Sequence, residues 1–252
     1  MAGNLAVVKR FVTAGGADLN CRDSFGITPV QAAAWYRHKE VVEFLVSKGA
    51  DVRLVDGAGN TILHYACWGG DREMVKFVLS QNFANINAKN KMYWTPVMLA
   101  ARRGHREVVE FLISKGADVS LVDVHGNNFL HWACCGGDIE MVKFILSQKM
   151  ADINSRGVSN MTPVMWAAYR GHNEVVEFLM RAGADVSLVD VNGNNILHWA
   201  CEGGDAQIVK FVLSLDKMDI DARNEKGQTA ADFARLWGHH KVVDVLVSRC
   251  AQ

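Results

Sequence analysis

Apolar residues follow a helical period in two adjacent segments near residue 170. In the first segment, Val164, Ala167 and Ala168 stand at i, i+3 and i+4, so they form one face of a short helix. In the second segment, Val175 and Leu179 lie on one face of a longer helix whose other positions are mostly polar. Both apolar faces are thin, so this pair of helices cannot bury itself and needs neighbours.

The ends of both predicted helices carry their own signals. Thr162 can cap the first helix and Pro163 suits its first turn, where the missing N–H has no partner within the helix. Gly171 and Gly183 follow the two apolar segments and allow the chain to leave each helix. The sequence therefore predicts a helix hairpin over about 20 residues.

The same hairpin pattern recurs along the chain about every 33 residues, a spacing typical of a helical repeat protein. Its starts are Thr28-Pro29, Thr61-Ile62, Thr95-Pro96, Asn128-Phe129, Thr162-Pro163, Asn195-Ile196 and Thr229-Ala230. The segment 3–23 matches only the second helix of the pattern. Two kinds of repeat alternate, so the true unit of the sequence is a pair of repeats, as from 95 to 161. We expect an array whose stability adds up from contacts between neighbouring repeats.

These motifs resemble those of the ankyrin repeat. The resemblance rests on the period, on starts such as Leu197–Ala200 (Leu-His-Trp-Ala), on Gly171-His172 and on Gly183–Asp185 (Gly-Ala-Asp). It implies an all-helical solenoid in which each repeat has a short inner helix, a longer outer helix and a β-turn finger. We expect one domain over 1–252, with a half repeat at 3–23, repeats at 24–56, 57–90, 91–123, 124–157, 158–190 and 191–224, and a capping repeat at 225–252.

Composition narrows the class of partner and compartment. Lys+Arg and Asp+Glu both number 27, so net charge favours neither nucleic acid nor a membrane surface. No apolar run approaches the roughly 18 residues of a spanning helix, and no signal segment opens the sequence. Cys67, Cys134 and Cys201 recur at one position of every second repeat, where other repeats have Ala, so we expect small buried thiols. We expect Cys135 to be exposed, and the protein to be intracellular, in the cytoplasm or nucleus.

The sequence contains no motif of catalysis or cofactor binding. It lacks His-Glu-x-x-His, a phosphate-binding Gly-rich loop and Gly-x-Ser-x-Gly. Seven of the nine histidines occupy two repeating positions, which in ankyrin repeats bond the backbone of neighbouring loops. We therefore expect no enzyme activity, no cofactor and no metal site. Asn87 and Asn154 resemble the ankyrin asparagines that an oxygen-dependent hydroxylase modifies; the alternative is that they only bond the turn backbone.

Three side chains depart from the repeat pattern. Tyr93 and Asn160 stand where other fingers have Gly, and Arg37 replaces the Gly that ends the inner helix. Tyr tolerates a positive φ poorly, so we expect a reshaped finger at Tyr93 and an irregular first hairpin.

The candidate site consists of positions that vary between otherwise similar repeats. In ankyrin repeats these positions form a concave groove, and here they hold many aromatic and arginine residues, which are typical of binding hot spots. The predicted groove residues are Trp35, Tyr36, Trp68, Met92, Trp94, Arg102, Arg103, Trp132, Trp166, Tyr169, Arg170, Trp199, Glu202 and Phe233. The alternative is that Trp132, Trp166 and Trp199 only seal the seams between inner helices.

We therefore predict a monomeric adaptor or scaffold that binds a peptide or protein surface in this groove, and binds neither nucleic acid nor membrane. A second hypothesis is a reader of histone tails or methyl-lysine. Trp166 and Trp199 would then flank a methylated ammonium, with Tyr169 one turn on and Glu202 in the next pocket. A third is an elastic spacer, for which a bland polar groove would be typical.

Overall fold

The computed structural model describes residues 4–215 and 218–250, and the regular secondary structure of this part of the chain is almost entirely helical. The first helix of each pair, here called the inner helix, is short. The inner helices are α2 (Pro29–Trp35), α4 (Ile62–Gly69), α6 (Pro96–Arg102), α8 (Phe129–Gly136), α10 (Pro163–Tyr169), α12 (Ile196–Gly203) and α14 (Ala230–Leu236). The outer helices are α1 (Leu5–Thr13), α3 (Lys39–Ser47), α5 (Arg72–Ser80), α7 (Arg106–Ser114), α9 (Ile139–Ser147), α11 (Asn173–Arg181), α13 (Ala206–Leu213) and α15 (His240–Cys250). The predicted all-helical fold is confirmed.

The inner helices begin as the sequence predicts. Thr28 caps α2 in a reciprocal pair: the Thr28 N–H donates to Gln31 Oε1 at 2.9 Å, and the Gln31 N–H donates to Thr28 Oγ1 at 3.5 Å. The Thr-Pro starts place Pro at the first helical position, as in α2 and α10. Where the start is Asn, as at Asn128, its side chain accepts the backbone N–H of His131 at 3.2 Å.

The chain divides into two compact units, Met1–Val124 and His125–Gln252. In the first unit α2 contacts α4 and α4 contacts α6; in the second unit α8, α10, α12 and α14 contact one another in succession. Small residues lie at these contacts: Cys67, Cys134 and Cys201 are fully buried, as predicted. Burial raises the pKa of the Cys201 thiol to about 12, so this thiol stays protonated and unreactive.

Histidines join neighbouring repeats in pairs. In the first unit, His64 Nε2 lies 3.0 Å from the Trp94 carbonyl and His105 Nε2 lies 3.1 Å from the Trp68 carbonyl. A carbonyl only accepts, so Nε2 carries the proton in both rings. Gly70 makes room for His105, because a Cβ there would come within 2.4 Å of the ring. The second unit repeats these bonds from His131 and His172 to Met161 and Cys135, and from His198 and His239 to Gln228 and Glu202. The predicted structural role of these histidines is confirmed.

A buried polar network holds the second finger. The Asp56 carboxylate accepts from Tyr65 Oη at 2.5 Å and from the Asn60 amide at 2.8 Å, and Asn90 donates to Asn60 Oδ1 at 2.8 Å. Burial alone would raise the pKa of Asp56, but hydrogen bonds from Tyr65, Asn60 and Ala58 hold this pKa below its usual value. The charged carboxylate is therefore part of the folded structure.

Asparagines clamp one inter-repeat turn to the next. Asn87 Oδ1 accepts the Asp118 N–H at 2.9 Å, and Asn154 Oδ1 accepts the Asp185 N–H at 2.9 Å. Asn20 makes the same bond, at 2.8 Å, with the N–H of Asp51. Both predicted hydroxylation sites thus have the backbone-bonding role that was the alternative, and their modification stays a prediction.

The finger at Tyr93 is not reshaped. Tyr93 adopts φ 60° and donates its N–H to the Asn90 carbonyl at 2.9 Å, so it makes the same turn as Gly59. The expectation was wrong here because Tyr accepts the strained conformation instead of changing the turn. The reshaped finger is the one containing Ser159 and Asn160, where two consecutive residues have φ 52° and 61° and form a 3₁₀ turn.

Candidate functional site

In the first unit, aromatic and arginine side chains gather at the C-terminal ends of three consecutive inner helices and at the adjoining finger. This first cluster consists of Trp35, Tyr36, Tyr65, Trp68, Trp94, Arg102 and Arg103. Apart from Trp94, these residues stand four, seven or eight positions after the capping residue of their helix. The repeat spacing therefore brings residues far apart in sequence to one surface.

The rings of the first cluster contact one another. Trp35 stacks on Tyr36 with centroids 5.1 Å apart, and lies 5.8 Å from both Tyr65 and Trp68. Tyr36 is 54% exposed, so its ring offers a face to solvent. Rigid rings with exposed faces bind a partner with little loss of side-chain entropy.

Arginines stack on tryptophans at the edge of the first cluster. The Arg103 guanidinium lies 4.9 Å from the Trp68 ring centre, and Arg102 lies 5.4 Å from that of Trp94. A stacked guanidinium keeps the donors at its edge for other groups. The predicted pairing of Trp94, Arg102 and Arg103 on one surface therefore has a defined geometry.

A cavity of about 390 Å³ opens beside the first cluster. It is lined by Trp35, Tyr36, Arg37, Trp68, Gly69, Arg103 and His105. Arg37 has φ 63° and donates its Nε–H to the Gly69 carbonyl. The six following repeats have Gly at the position of Arg37, but the predicted irregularity of the first hairpin was wrong: the Arg37 N–H donates to the Ala34 carbonyl at 3.2 Å, as the Gly104 N–H donates to the Ala101 carbonyl at 3.0 Å.

The second unit carries a corresponding second cluster: Trp132, Trp166, Tyr169, Arg170, Trp199 and Glu202. Trp132 lies 6.3 Å from Trp166, and Tyr169 lies 6.4 Å from Trp166 and 5.7 Å from Trp199, edge to face with both. Arg170 lies over Trp166 and Tyr169, at 5.9 and 5.6 Å from their ring centres. Four predicted aromatic residues of this unit and Arg170 are therefore brought together.

Three side chains that we predicted to be exposed are buried instead. Trp132 is only 8% exposed and Phe233 only 9%, so neither offers a free face to a partner. Phe233 packs edge to face on His198, 5.3 Å away, and covers the cap of the preceding inner helix. Cys135 is 7% exposed because it is short, whereas Tyr169 occupies the equivalent position with a longer side chain and reaches solvent. Met92 is exposed, as a residue at a fingertip should be.

The second cluster does not form the methyl-lysine cage that the reader hypothesis required. The space between Trp166 and Trp199 is filled by the ring of Tyr169, which contacts both. Glu202 is half-buried, and burial together with the charge of Asp190 raises the pKa of its carboxyl group.

Three indole N–H groups in the clusters lack an acceptor. Nε1 of Trp68, Trp166 and Trp199 is buried without a hydrogen-bond partner in the described part of the chain. Each such donor costs about 1–3 kcal/mol relative to a satisfied one. The clusters are therefore not arranged for the greatest stability of the fold.

Residues 4–215 and 218–250 offer little support for metal binding, membrane spanning or a nucleophilic cysteine. These residues hold no group of three or more His, Cys, Asp or Glu that could bind a metal ion. Within the same ranges, no helix combines the length and apolar character needed to cross a bilayer. Burial raises the pKa of the Cys67 and Cys134 thiols far above the range of a nucleophile.

Sequence comparisons identify what the chain resembles. The family described as "Ankyrin repeats (3 copies)" matches residues 1–90, 70–157 and 158–252. The chain is 33% identical to Palmitoyltransferase AKR1 of Lachancea kluyveri over 157 residues, which cover 59% of this chain and 21% of that protein. It is 33% identical to the Nuclear factor NF-kappa-B p105 subunit of Gallus gallus over 172 residues, 66% of this chain and 17% of that protein. It is 31% identical to E3 ubiquitin-protein ligase KEG of Arabidopsis thaliana, over 57% of this chain and 9% of that protein. The matched segments thus span about a fifth of these relatives or less.

Proposed function

Because the chain belongs to the ankyrin-repeat family, whose repeats mediate protein–protein interaction, we propose that it is a non-enzymatic module that binds a segment of a partner protein. The surface that binds is proposed to be the C-terminal ends of the inner helices with their fingers. The observation that carries this proposal is the stacking of arginines on tryptophans in both units, for example Arg103 on Trp68 and Arg170 on Trp166. Tryptophan, tyrosine and arginine are the residues most enriched in binding hot spots.

The enzymes among the relatives do not extend their activity to this chain. The yeast palmitoyltransferase is matched over 21% of its length, through its ankyrin region. We propose that the chain supplies binding only, as an adaptor or scaffold. Its balanced charge, with 27 basic and 27 acidic residues, supports a protein partner over nucleic acid, and we propose that it acts as a monomer.

The test begins with selection of short peptides from a random display library against the full chain. Selected peptides are then titrated against the variant carrying Ala at Trp94, Arg102 and Arg103, and against an outer-helix control, Glu43→Ala with Glu174→Ala. The side chains replaced in the two variants lie outside the contacts between inner helices. Both variants should therefore keep the circular dichroism spectrum of the wild type. We expect the first variant to lose binding and the control to keep it. Peptides that respond only to the outer-helix control would contradict the proposed surface.

A further inference from the structure

We infer that the first cluster receives an acidic peptide segment, whose carboxylates are held between Arg37 and Arg103. This inference rests on the proposed function and specifies the chemistry of the partner. It follows from the charges at one cavity, from the backbone strain at Arg37 and from the difference between the two units.

Arg37 and Arg103 are cations without an anionic partner at the same cavity. The side chain of Arg37 bonds only the Gly69 carbonyl, through Nε, so its two terminal amino groups have no acceptor among the described residues. Arg103 is exposed, stacks on Trp68 and forms no ion pair within the described part of the chain. The cavity lining contains no Asp or Glu. Because a guanidinium is always charged, this cavity is a site of positive potential.

The backbone at Arg37 gives independent support. Arg37 has φ 63°, a left-handed conformation that is unfavourable for any residue with a Cβ. The equivalent residues are all Gly: Gly70, Gly104, Gly137, Gly171, Gly204 and Gly238. Residues other than Gly that hold a strained backbone conformation cluster at binding sites, where the function of the side chain offsets the cost of the strain. At Arg37 the side chain lines the cavity, where its terminal amino groups have no acceptor among the described residues.

The size and the lining of the cavity fit an acidic side chain with its flanking backbone. About 390 Å³ accommodates one or two such side chains, but no folded element. A guanidinium binds a carboxylate through two parallel hydrogen bonds, which fixes its direction. The stacked rings of Trp35 and Tyr36 form an apolar wall beside the two cations. An extended acidic peptide would place carboxylates on the arginines and its backbone along these rings.

The second cluster lacks this pair of arginines. Arg170 occupies in the fifth repeat the position that Arg103 occupies in the third, and it also stacks on a tryptophan. In the same 67-residue register the position that corresponds to Arg37 is Gly104, so no second arginine accompanies Arg170, and the second cluster includes the carboxylate of Glu202. An acidic peptide should therefore bind the first cluster in preference to the second.

The experiment uses the selected peptides and the full chain. We expect the peptides to be rich in Asp and Glu, and their Asn and Gln versions to bind at least about tenfold more weakly. Arg37→Gly and Arg103→Gln should each weaken binding, and together by about tenfold or more, whereas Arg181→Gln, on the exposed side of the outer helix α11, should leave it unchanged. Raising the ionic strength should weaken the acidic peptides and leave the Arg37→Gly, Arg103→Gln double variant nearly indifferent to salt.

Arg37→Gly separates binding from folding. Because Gly relieves the strained φ, this variant should keep or raise the melting temperature while it loses affinity. Selected peptides that are not acidic, or that bind Arg37→Gly and Arg103→Gln as tightly as wild type, would overturn this inference and leave the proposed function standing. If no peptide responds to changes in either cluster, both the proposed function and the inference fail.

Discussion

Replacing Tyr93 by Gly should stabilise the protein, although it removes an aromatic side chain. Tyr93 has φ 60°, and its ring is 51% exposed. The ring has a cation–π contact with Lys89 at 5.3 Å, and its exposure means that its removal creates no closed cavity. The backbone should therefore decide the sign of the change.

The magnitude follows from three terms. A left-handed non-Gly residue costs about 1–2 kcal/mol relative to Gly. Against this, Gly gives the unfolded chain extra freedom worth about 0.5–1 kcal/mol. Loss of the exposed contact with Lys89 costs about 0.5 kcal/mol. The three terms sum to between about −0.5 and +1 kcal/mol for Tyr93→Gly, with a midpoint at a gain of about 0.25 kcal/mol, or about 0.5–1 °C in melting temperature for a chain of this size.

The matched control is the opposite substitution, from Gly to a residue with a Cβ, at the equivalent position of another finger. Gly227 occupies the same finger position with φ 74°, and a Cβ there would meet nothing within 4 Å. Gly227→Ala should therefore destabilise by about 0.5–1 kcal/mol through backbone strain alone. Urea unfolding of both variants, followed by circular dichroism, measures the two changes. A loss of more than about 1 kcal/mol for Tyr93→Gly would show that the ring stabilises the finger and that this reasoning is wrong.

Other measurements test the histidine, the polar network and the local stability. Burial lowers the pKa of His64 below its ordinary 6.5, so the unfolded state takes up the proton first as the pH falls below 6.5. The contribution of His64 to the free energy of unfolding should therefore be complete above pH 6.5 and decrease below it. The His64→Gln variant should show a weaker pH dependence in this range when its stability is measured by urea unfolding. Tyr65→Phe removes a hydrogen bond to the charged Asp56 and should cost about 1.5–3 kcal/mol in the same assay; no change would show that water replaces the hydroxyl group. Amide hydrogen exchange should be faster across residues 24–90 than across residues 162–213, because Arg37 breaks the repeat pattern on that side; equal protection would contradict this.

The sequence predicted the parts of the structure that local chemistry and repetition determine. Each Thr-Pro, Thr-Ile or Asn start became the start of an inner helix, as at Pro29, because the capping signal is complete within a few residues. The recurring Cys67 position became a buried contact because its equivalents in the first six repeats are all small. The ankyrin-repeat assignment is confirmed for the same reason, since seven copies of a pattern reinforce one another.

Side-chain directions on the candidate surface could not be predicted in the same way. Trp132, Trp166 and Trp199 occupy equivalent positions, yet Trp132 is buried while the other two are partly exposed. Tyr169 turned into the space that the reader hypothesis left open, because its neighbours on both sides are rings that it can contact edge to face. The direction of each of these side chains depends on contacts between two neighbouring repeats, which the sequence of a single repeat does not specify.

The paired histidine bonds give the chain a mechanical unit that is larger than one repeat. His64 in the second repeat bonds the third repeat, and His105 in the third repeat bonds the second. Two hydrogen bonds in opposite directions therefore join these two repeats. The same fastening recurs in the second unit, once for each pair of repeats. Under a stretching force, two fastened repeats should yield together. Each such event would release about 3.3–3.6 Å per residue, or roughly 220–240 Å over the pair. Acid should lower the force at which it occurs, because burial lowers the pKa of His64 and His198 and their protonation therefore favours the unfolded state.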